Sequence, residues 1–144
     1  MPQTARIVET LGGPRVVGRR VRSRDQLADR LRAGLPYSAF ESLLRSLNVP
    51  RRVLADTLHL PARTLARRKR EGRLAPVESN RVYRLARVFA HAVDVFGDRQ
   101  KASAWLSRPN QALGGRTPLS VLDTDVGVQE VDEILGRIEY GIFS

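Results

Sequence analysis

Apolar residues recur at helical spacing along most of the chain, and the fold class this predicts is all-α. The longest pattern opens at Pro76 and runs to about Phe96, with Gly97 after it as a stop. Val82, Leu85, Ala86, Phe89, Val93 and Phe96 make one stripe. Val88, Ala92 and Val95 widen that stripe beyond what one small partner helix would bury. A central core helix is therefore expected, with a share in a dimer interface as its second use. Upstream, Ser23 and Gln26 form a capping-box pair that starts a short helix with a narrow Leu27–Leu31 edge, stopped at Gly34. Ser38 and Glu41 predict a second capping box, followed by a face of Phe40, Leu43, Leu44 and Leu47 that ends at Asn48 and Pro50. Downstream, residues 99–107 predict a short helix with Trp105 as a core anchor. Residues 108–116 (RPNQALGGR) carry turn chemistry, and Thr117-Pro118 predicts a further helix reaching Leu122. After Asp123-Thr124-Asp125 a last helix places Val128, Val131, Leu135 and Ile138 on one face and stops at Gly141. Residues 1–22 hold Gly12, Gly13, Pro14 and Gly18 among arginines with no sustained period. A solvated basic tail, touching DNA phosphates non-specifically, is the expectation there, and an ordered extension the other reading.

The stretch around which the chain is organised is 49–73, VPRRVLADTLHLPARTLARRKREGR. It reads as a helix-turn-helix, with the recognition helix at about 61–71. Ala55 takes the small position where the two helices touch, Leu60 follows the turn, Leu65 is the buried residue of the second helix, and Pro61 fits its first position. Arg63, Arg67 and Arg70 share a face with Thr64 and Arg68 beside them, while Ala62, Leu65 and Ala66 are expected to point away. An arginine face over an apolar one suits a helix in the major groove, since Arg donates two bonds to guanine O6 and N7 and also neutralises phosphate. The alternative is an ordinary solvated basic helix. His59 stands where many such motifs have glycine; it adopts the turn conformation less readily than Gly but better than a β-branched residue.

Composition sharpens this picture through its asymmetry. The net charge of +10 over 144 residues is concentrated at the front. Residues 1–34 hold 8 basic and 3 acidic side chains and residues 51–73 hold 8 and 2, whereas residues 101–144 hold 4 and 6. A basic front and a mildly acidic back point to two partners, one of them polyanionic. Cysteine is absent, which excludes disulfides and thiolate metal sites. No run has the length of a membrane span and no apolar leader begins the chain, so a cytoplasmic protein without membrane contact is expected. With two histidines and no Gly-rich phosphate loop, no catalytic residue, metal site or cofactor is nominated, and His91 is expected to be a partly buried structural side chain because no second ligand is spaced to join it.

From about Ser38 onward the chain resembles the Xre/ParS/MbcA-type antitoxins that pair with RES-domain toxins. The matching stretches are 63–73 (RTLARRKREGR), 78–90 (ESNRVYRLARVFA), 105–125 (WLSRPNQALGGRTPLSVLDTD) and 137–144 (RIEYGIFS). The block around Pro109, Leu113, Gly114, Gly115, Pro118 and Asp123 to Asp125 is the part specific to that family. The resemblance implies a helix-turn-helix helical domain followed by a small helical toxin-binding domain. Within it 35–98 would be the DNA-binding and dimerisation region and 99–144 the toxin-binding part, while residues 1–34 look less typical of the family and read, from their own residues, as a basic arm with a short helix. The resemblance implies a homodimer on double-stranded operator DNA, with Arg63, Thr64, Arg67, Arg68 and Lys69 as the matching DNA-binding positions; Arg51 and Arg52 at the start of the first helix are expected to join them. It also implies inhibition of a RES toxin that consumes NAD, the C-terminus entering the active-site cleft. The toxin-binding set is then Leu113, Gly114, Gly115, Arg116 and Leu119, with Tyr140, Gly141, Ile142, Phe143 and Ser144 as the plug and Phe143 its best anchor. Taken without the resemblance, Gly114-Gly115 is simply a turn and the tail simply frays. The competing readings are a DNA-binding regulator that neutralises no toxin, a non-specific nucleic-acid binder, and an enzyme, which the residue inventory disfavours.

Overall fold

A computed structural model describes residues 3–141. Among them are α1 (Gln3–Thr10), α2 (Pro14–Val17), α3 (Arg24–Ala33), α4 (Ser38–Leu47), α5 (Arg51–Thr57), α6 (Ala62–Glu71), α7 (Pro76–Phe96), α8 (Arg99–Leu106) and α9 (Asp125–Glu139). Two 3-10 turns, Gln111–Leu113 and Leu119–Val121, lie between α8 and α9, and the described residues form no strand. The all-α expectation holds.

α7 is the spine. Val82, Leu85, Ala86, Val88, Phe89, Ala90 and Ala92 are all buried along it, and it opens at Pro76 and is capped by Gly97 as the pattern predicts. The width of its apolar stripe is used within the chain: α1, α3, α4, α8 and α9 all pack on it. Each fully buried Val, Leu or Phe contributes about 1.5–3 kcal/mol, so this one helix ties the front and back of the molecule into a single core. At its end Phe96 meets Trp105 of α8 with ring centres 5.5 Å apart.

Four local expectations are corrected. Residues 3–17 are not a solvated tail: Ile7, Val8, Leu11 and Val17 are buried, and α1 packs along α7. The apolar edge is too short and too interrupted by Gly12-Gly13 to stand out as a period, yet it is enough once α7 offers a surface. The capping box at Ser23–Gln26 forms, but the one at Ser38–Glu41 does not. There Tyr37 already has helical backbone angles, because its N–H is held by the Gly72 carbonyl (3.0 Å), and Glu41 is taken instead by Arg51 (2.8 Å). Pro61 is the N-cap of α6 and not its first helical residue. After Thr117-Pro118 the chain makes only the 3-10 turn Leu119–Val121, since Leu119, Val121 and Leu122 must all enter the core within one short segment.

The seam between α7 and α9 is polar on one edge. Arg84 pairs with Asp125, Arg87 with Asp132 (2.9 Å), and His91 with Asp132 through Nδ1 (3.2 Å) and Glu139 through Nε2 (3.6 Å). The carboxylates beside His91 lie 41 and more residues away, so spacing along the sequence does not reveal them. The Asp132 hydrogen bond raises the His91 pKa above its ordinary 6.5, outweighing burial, which lowers it; the Glu139 charge adds to the rise. Burial pushes the Asp132 carboxyl up, but His91 and Arg87 together hold it below its usual range. A raised histidine contributes stability fully below its unfolded pKa and loses it as pH rises through the folded one. Asp132 works oppositely: its contribution is present above its unfolded pKa and falls away as pH drops through the depressed folded value. Melting temperature is therefore expected to fall as pH is raised through the region just above 6.5, and His91→Asn should flatten that decline.

Candidate functional site

The helix-turn-helix is built by a chain reversal after α5. The Leu60 N–H reaches back to the Ala55 carbonyl (2.8 Å) and the His59 N–H to that of Asp56 (3.1 Å), the pair of bonds that closes a helix through a left-handed residue. That residue is His59, with φ 54°. Ala55, Leu60 and Leu65 are buried as expected and seat α6 on the domain. What glycine would do freely, His59 does with a compensation: its Nε2 donates to the Asp123 carbonyl (3.2 Å), just before α9. Nearby, Arg81 of α7 donates to the Leu58 carbonyl (3.2 Å). The turn is thus tied directly to the back of the molecule.

The two conformational effects at His59 nearly balance. A left-handed non-glycine costs roughly 1–2 kcal/mol, and one hydrogen bond contributes about 0.5–1.5 kcal/mol. His59→Gly is accordingly expected to change unfolding free energy by less than about 1 kcal/mol. His59→Val, β-branched and without a donor, should lose about 2 kcal/mol or more in the same denaturant titration.

On α6 the structure sorts the expected DNA-binding residues. Arg63, Arg67, Lys69 and Arg70 are exposed, with no carboxylate paired to them among the described residues; Thr64 is half-buried. Arg52 is exposed at the start of α5 and likewise unpaired. Arg68 is committed elsewhere: its Nε donates to Glu78 (2.7 Å) and an Nη to Glu71 (3.0 Å). Burial pushes the Glu78 carboxyl up, but Arg68 and the Ala75 N–H hold it below its usual range, so the pair stays ionised and clamps α6 to α7. Arg51 is also engaged, bidentate to Glu41 (2.8 and 3.0 Å), bonded to the Tyr37 hydroxyl (3.1 Å), and 5.8 Å from the Phe40 ring centre. Ala62 and Ala66 do not point inward but are exposed. With Leu65 alone buried, α6 stands proud of the domain, and two short side chains between the arginines leave room for close approach to a groove. Arg70, outside the expected set, belongs with the exposed row.

At the back, the expected protein-binding residues separate in the same way. Leu113 and Leu119 are core residues, 2% and 3% exposed, because the loop between α8 and α9 is anchored by turning them inward. Gly114 and Gly115 are exposed with φ 67° and 87°, open space where a Cβ would stand, and the Asn110 carbonyl accepting from Gly115 (3.0 Å). Arg116 is exposed, although its Nε closes the loop on the Leu113 carbonyl (2.9 Å). Tyr140 is 78% exposed at the end of α9, and Gly141 follows with φ 68°. Ile142, Phe143 and Ser144 lie outside the described residues.

The two halves of this arrangement have counterparts in known proteins. An Xre-like antitoxin helix-turn-helix domain model matches residues 26–87, and the C-terminal toxin-binding domain of Xre/MbcA/ParS antitoxins matches residues 91–141. Antitoxin Xre of Yersinia enterocolitica is 38% identical over 120 residues, covering 82% of this chain and 81% of that one. The chain belongs to the Xre antitoxin family. Antitoxin Xre of Photorhabdus laumondii is 37% identical over 116 residues, covering 79% and 78%. A chain in the crystal structure of the M. tuberculosis MbcT-MbcA toxin-antitoxin complex has the same fold, with TM-score 0.55 over 75% of this chain and 96% of its own at 24% identity. In this Xre-family chain the join between the matched regions falls inside α7, the spine that both halves share. Among the described residues, no helix is long and apolar enough to cross a membrane.

Proposed function

We propose that this Xre-family antitoxin binds and inhibits a cognate RES-domain toxin that consumes NAD, and represses its own operon by binding operator DNA as a homodimer. The observation that carries the reading is the joining, through one spine helix, of chemically distinct exposed features: the row Arg63, Arg67, Arg70 on α6, the glycine loop with Arg116, and the Tyr140 tip at the end of α9. The cationic row fits phosphate and guanine edges, while Tyr140 offers an exposed aromatic side chain to a protein cleft. Gly114, Gly115, Arg116, Tyr140 and Gly141 are the contact set within the described residues. Ile142, Phe143 and Ser144 are proposed as the plug that enters the toxin's active-site cleft. Leu113 and Leu119 hold the loop from beneath instead of touching the partner.

Co-expression with the product of the neighbouring gene tests this. Relief of growth arrest and co-purification of the pair support the antitoxin reading. A folded, operator-binding chain that relieves nothing would leave a transcriptional regulator only. Removing residues 142–144 is expected to abolish relief while operator binding persists; unchanged relief would exclude the plug.

A further inference from the structure

Several arginines of this chain are structural. Arg6, Arg51, Arg68, Arg84 and Arg87 are each paired to a carboxylate and hold helices together. The segment 15–24 is different: Arg15, Arg19, Arg20, Arg22 and Arg24 stand within ten residues, all exposed, with no acidic residue in that stretch and no ion pair among the described residues. Crowding like charges on a folded surface opposes folding unless a polyanion neutralises them. This segment is also held in place. Val17 is buried beneath it, and the Arg30 guanidinium of α3 lies against Gly18, where a Cβ would come within 2.8 Å of it.

α3 connects this segment to the recognition helix. From Arg30 it is four residues, about 6 Å, to Gly34 at the end of α3. The Gly34 carbonyl accepts from Arg73 (2.6 Å), and the Leu74 N–H bonds the Leu35 carbonyl (2.8 Å), so the end of α3 is tied to the end of α6. Gly34 permits that approach: a Cβ there would lie 2.4 Å from the Leu74 carbonyl oxygen. The cationic row of α6 and the arginines of 19–22 are thus linked through α3.

The geometry points to a second DNA contact: Arg19, Arg20 and Arg22 bind the phosphate backbone of the operator duplex beyond the groove read by α6. The inference rests on the DNA-binding reading above and assigns it a second, sequence-independent foothold. Such contacts position the duplex without selecting its sequence.

The test is the triple variant Arg19→Ala, Arg20→Ala, Arg22→Ala in the full chain, with affinity for operator and for random duplex measured across salt concentrations. Each lost phosphate contact lowers the slope of log affinity against log salt by about 0.9, so a reduction of about two to three is expected. At 0.15 M salt that corresponds to roughly 10–100-fold weaker binding to both duplexes, with their ratio unchanged. Because all three side chains are exposed, an unchanged melting temperature is the control for folding. Wild-type slope and affinity in the triple variant overturn the inference, provided that Arg67→Ala weakens operator binding in the same assay. Loss of toxin neutralisation with operator affinity intact would assign the segment to an acidic protein surface and equally overturn it. Failure of the wild-type chain itself to retain any duplex is a different result: it defeats the DNA-binding reading on which the inference stands.

Discussion

Gly127→Ala is expected to destabilise the chain by about 3 kcal/mol or more, the largest effect of any single methyl addition in it. Gly127 lies in the first turn of α9, where a Cβ would stand 1.7 Å from the Val121 carbonyl oxygen and 2.7 Å from its carbon. Both obstacles are backbone, so no rotamer change relieves them. Overpacking that flexible side chains can absorb typically costs about 1–3 kcal/mol, and this contact lies at or beyond the upper end. α9 would have to move off the Leu119–Val121 turn, breaking the Thr124 cap (3.0 Å to the Gly127 N–H) and disturbing the Arg84–Asp125 pair. Gly136, on the same helix with nothing within 4 Å of its would-be Cβ, is the control. Gly136→Ala should stabilise by roughly 0.5–1 kcal/mol through helix propensity. Denaturant unfolding of the two variants separates a steric requirement for glycine from a mere preference. A Gly127→Ala chain as stable as wild type would mean that the α9 contact is not as close as described.

Arg67→Ala is expected to weaken operator binding by about 1–3 kcal/mol if Arg67 makes a bidentate base contact, while leaving toxin inhibition unchanged. Arg67 sits one turn beyond Arg63 on the exposed side of α6, with no carboxylate paired to it among the described residues. Arg68→Ala should behave differently although it is the neighbouring residue. Its guanidinium joins α6 to Glu78 of α7, so its loss leaves that carboxylate only 9% exposed and without its partner. Arg68→Ala should therefore lower the melting temperature, and Arg67→Ala should not. Binding titrations of operator and random duplex distinguish the modes: a base contact reduces their ratio, a phosphate contact weakens both alike.

Much of this architecture is legible in the residues because it rests on local chemistry. The Pro76–Gly97 limits of α7, the capping box at Ser23, and the burial of Ala55, Leu60 and Leu65 each follow from short-range rules. The turn conformation expected at position 59 is present too, but nothing near His59 in the sequence indicates the Asp123 carbonyl that accepts the hydrogen bond from its Nε2. What escapes the sequence is consistently long-range. Residues 3–17 fold because α7 presents a surface to them. The second capping box fails because Arg51 captures Glu41 and Gly72 captures the Tyr37 N–H. Arg68 and Arg51 look like their exposed neighbours until their carboxylates are located in space. Leu113 and Leu119 share a family-specific block with Gly114 and Gly115, and only the fold separates the side chains that support the loop from the backbone that is displayed.

Toxin inhibition is measured as NAD consumption by the purified product of the neighbouring gene with this chain titrated in. Inhibition that saturates at a fixed stoichiometry and survives Arg67→Ala is expected. Undiminished NAD consumption in the presence of a folded, operator-binding chain would exclude the antitoxin reading.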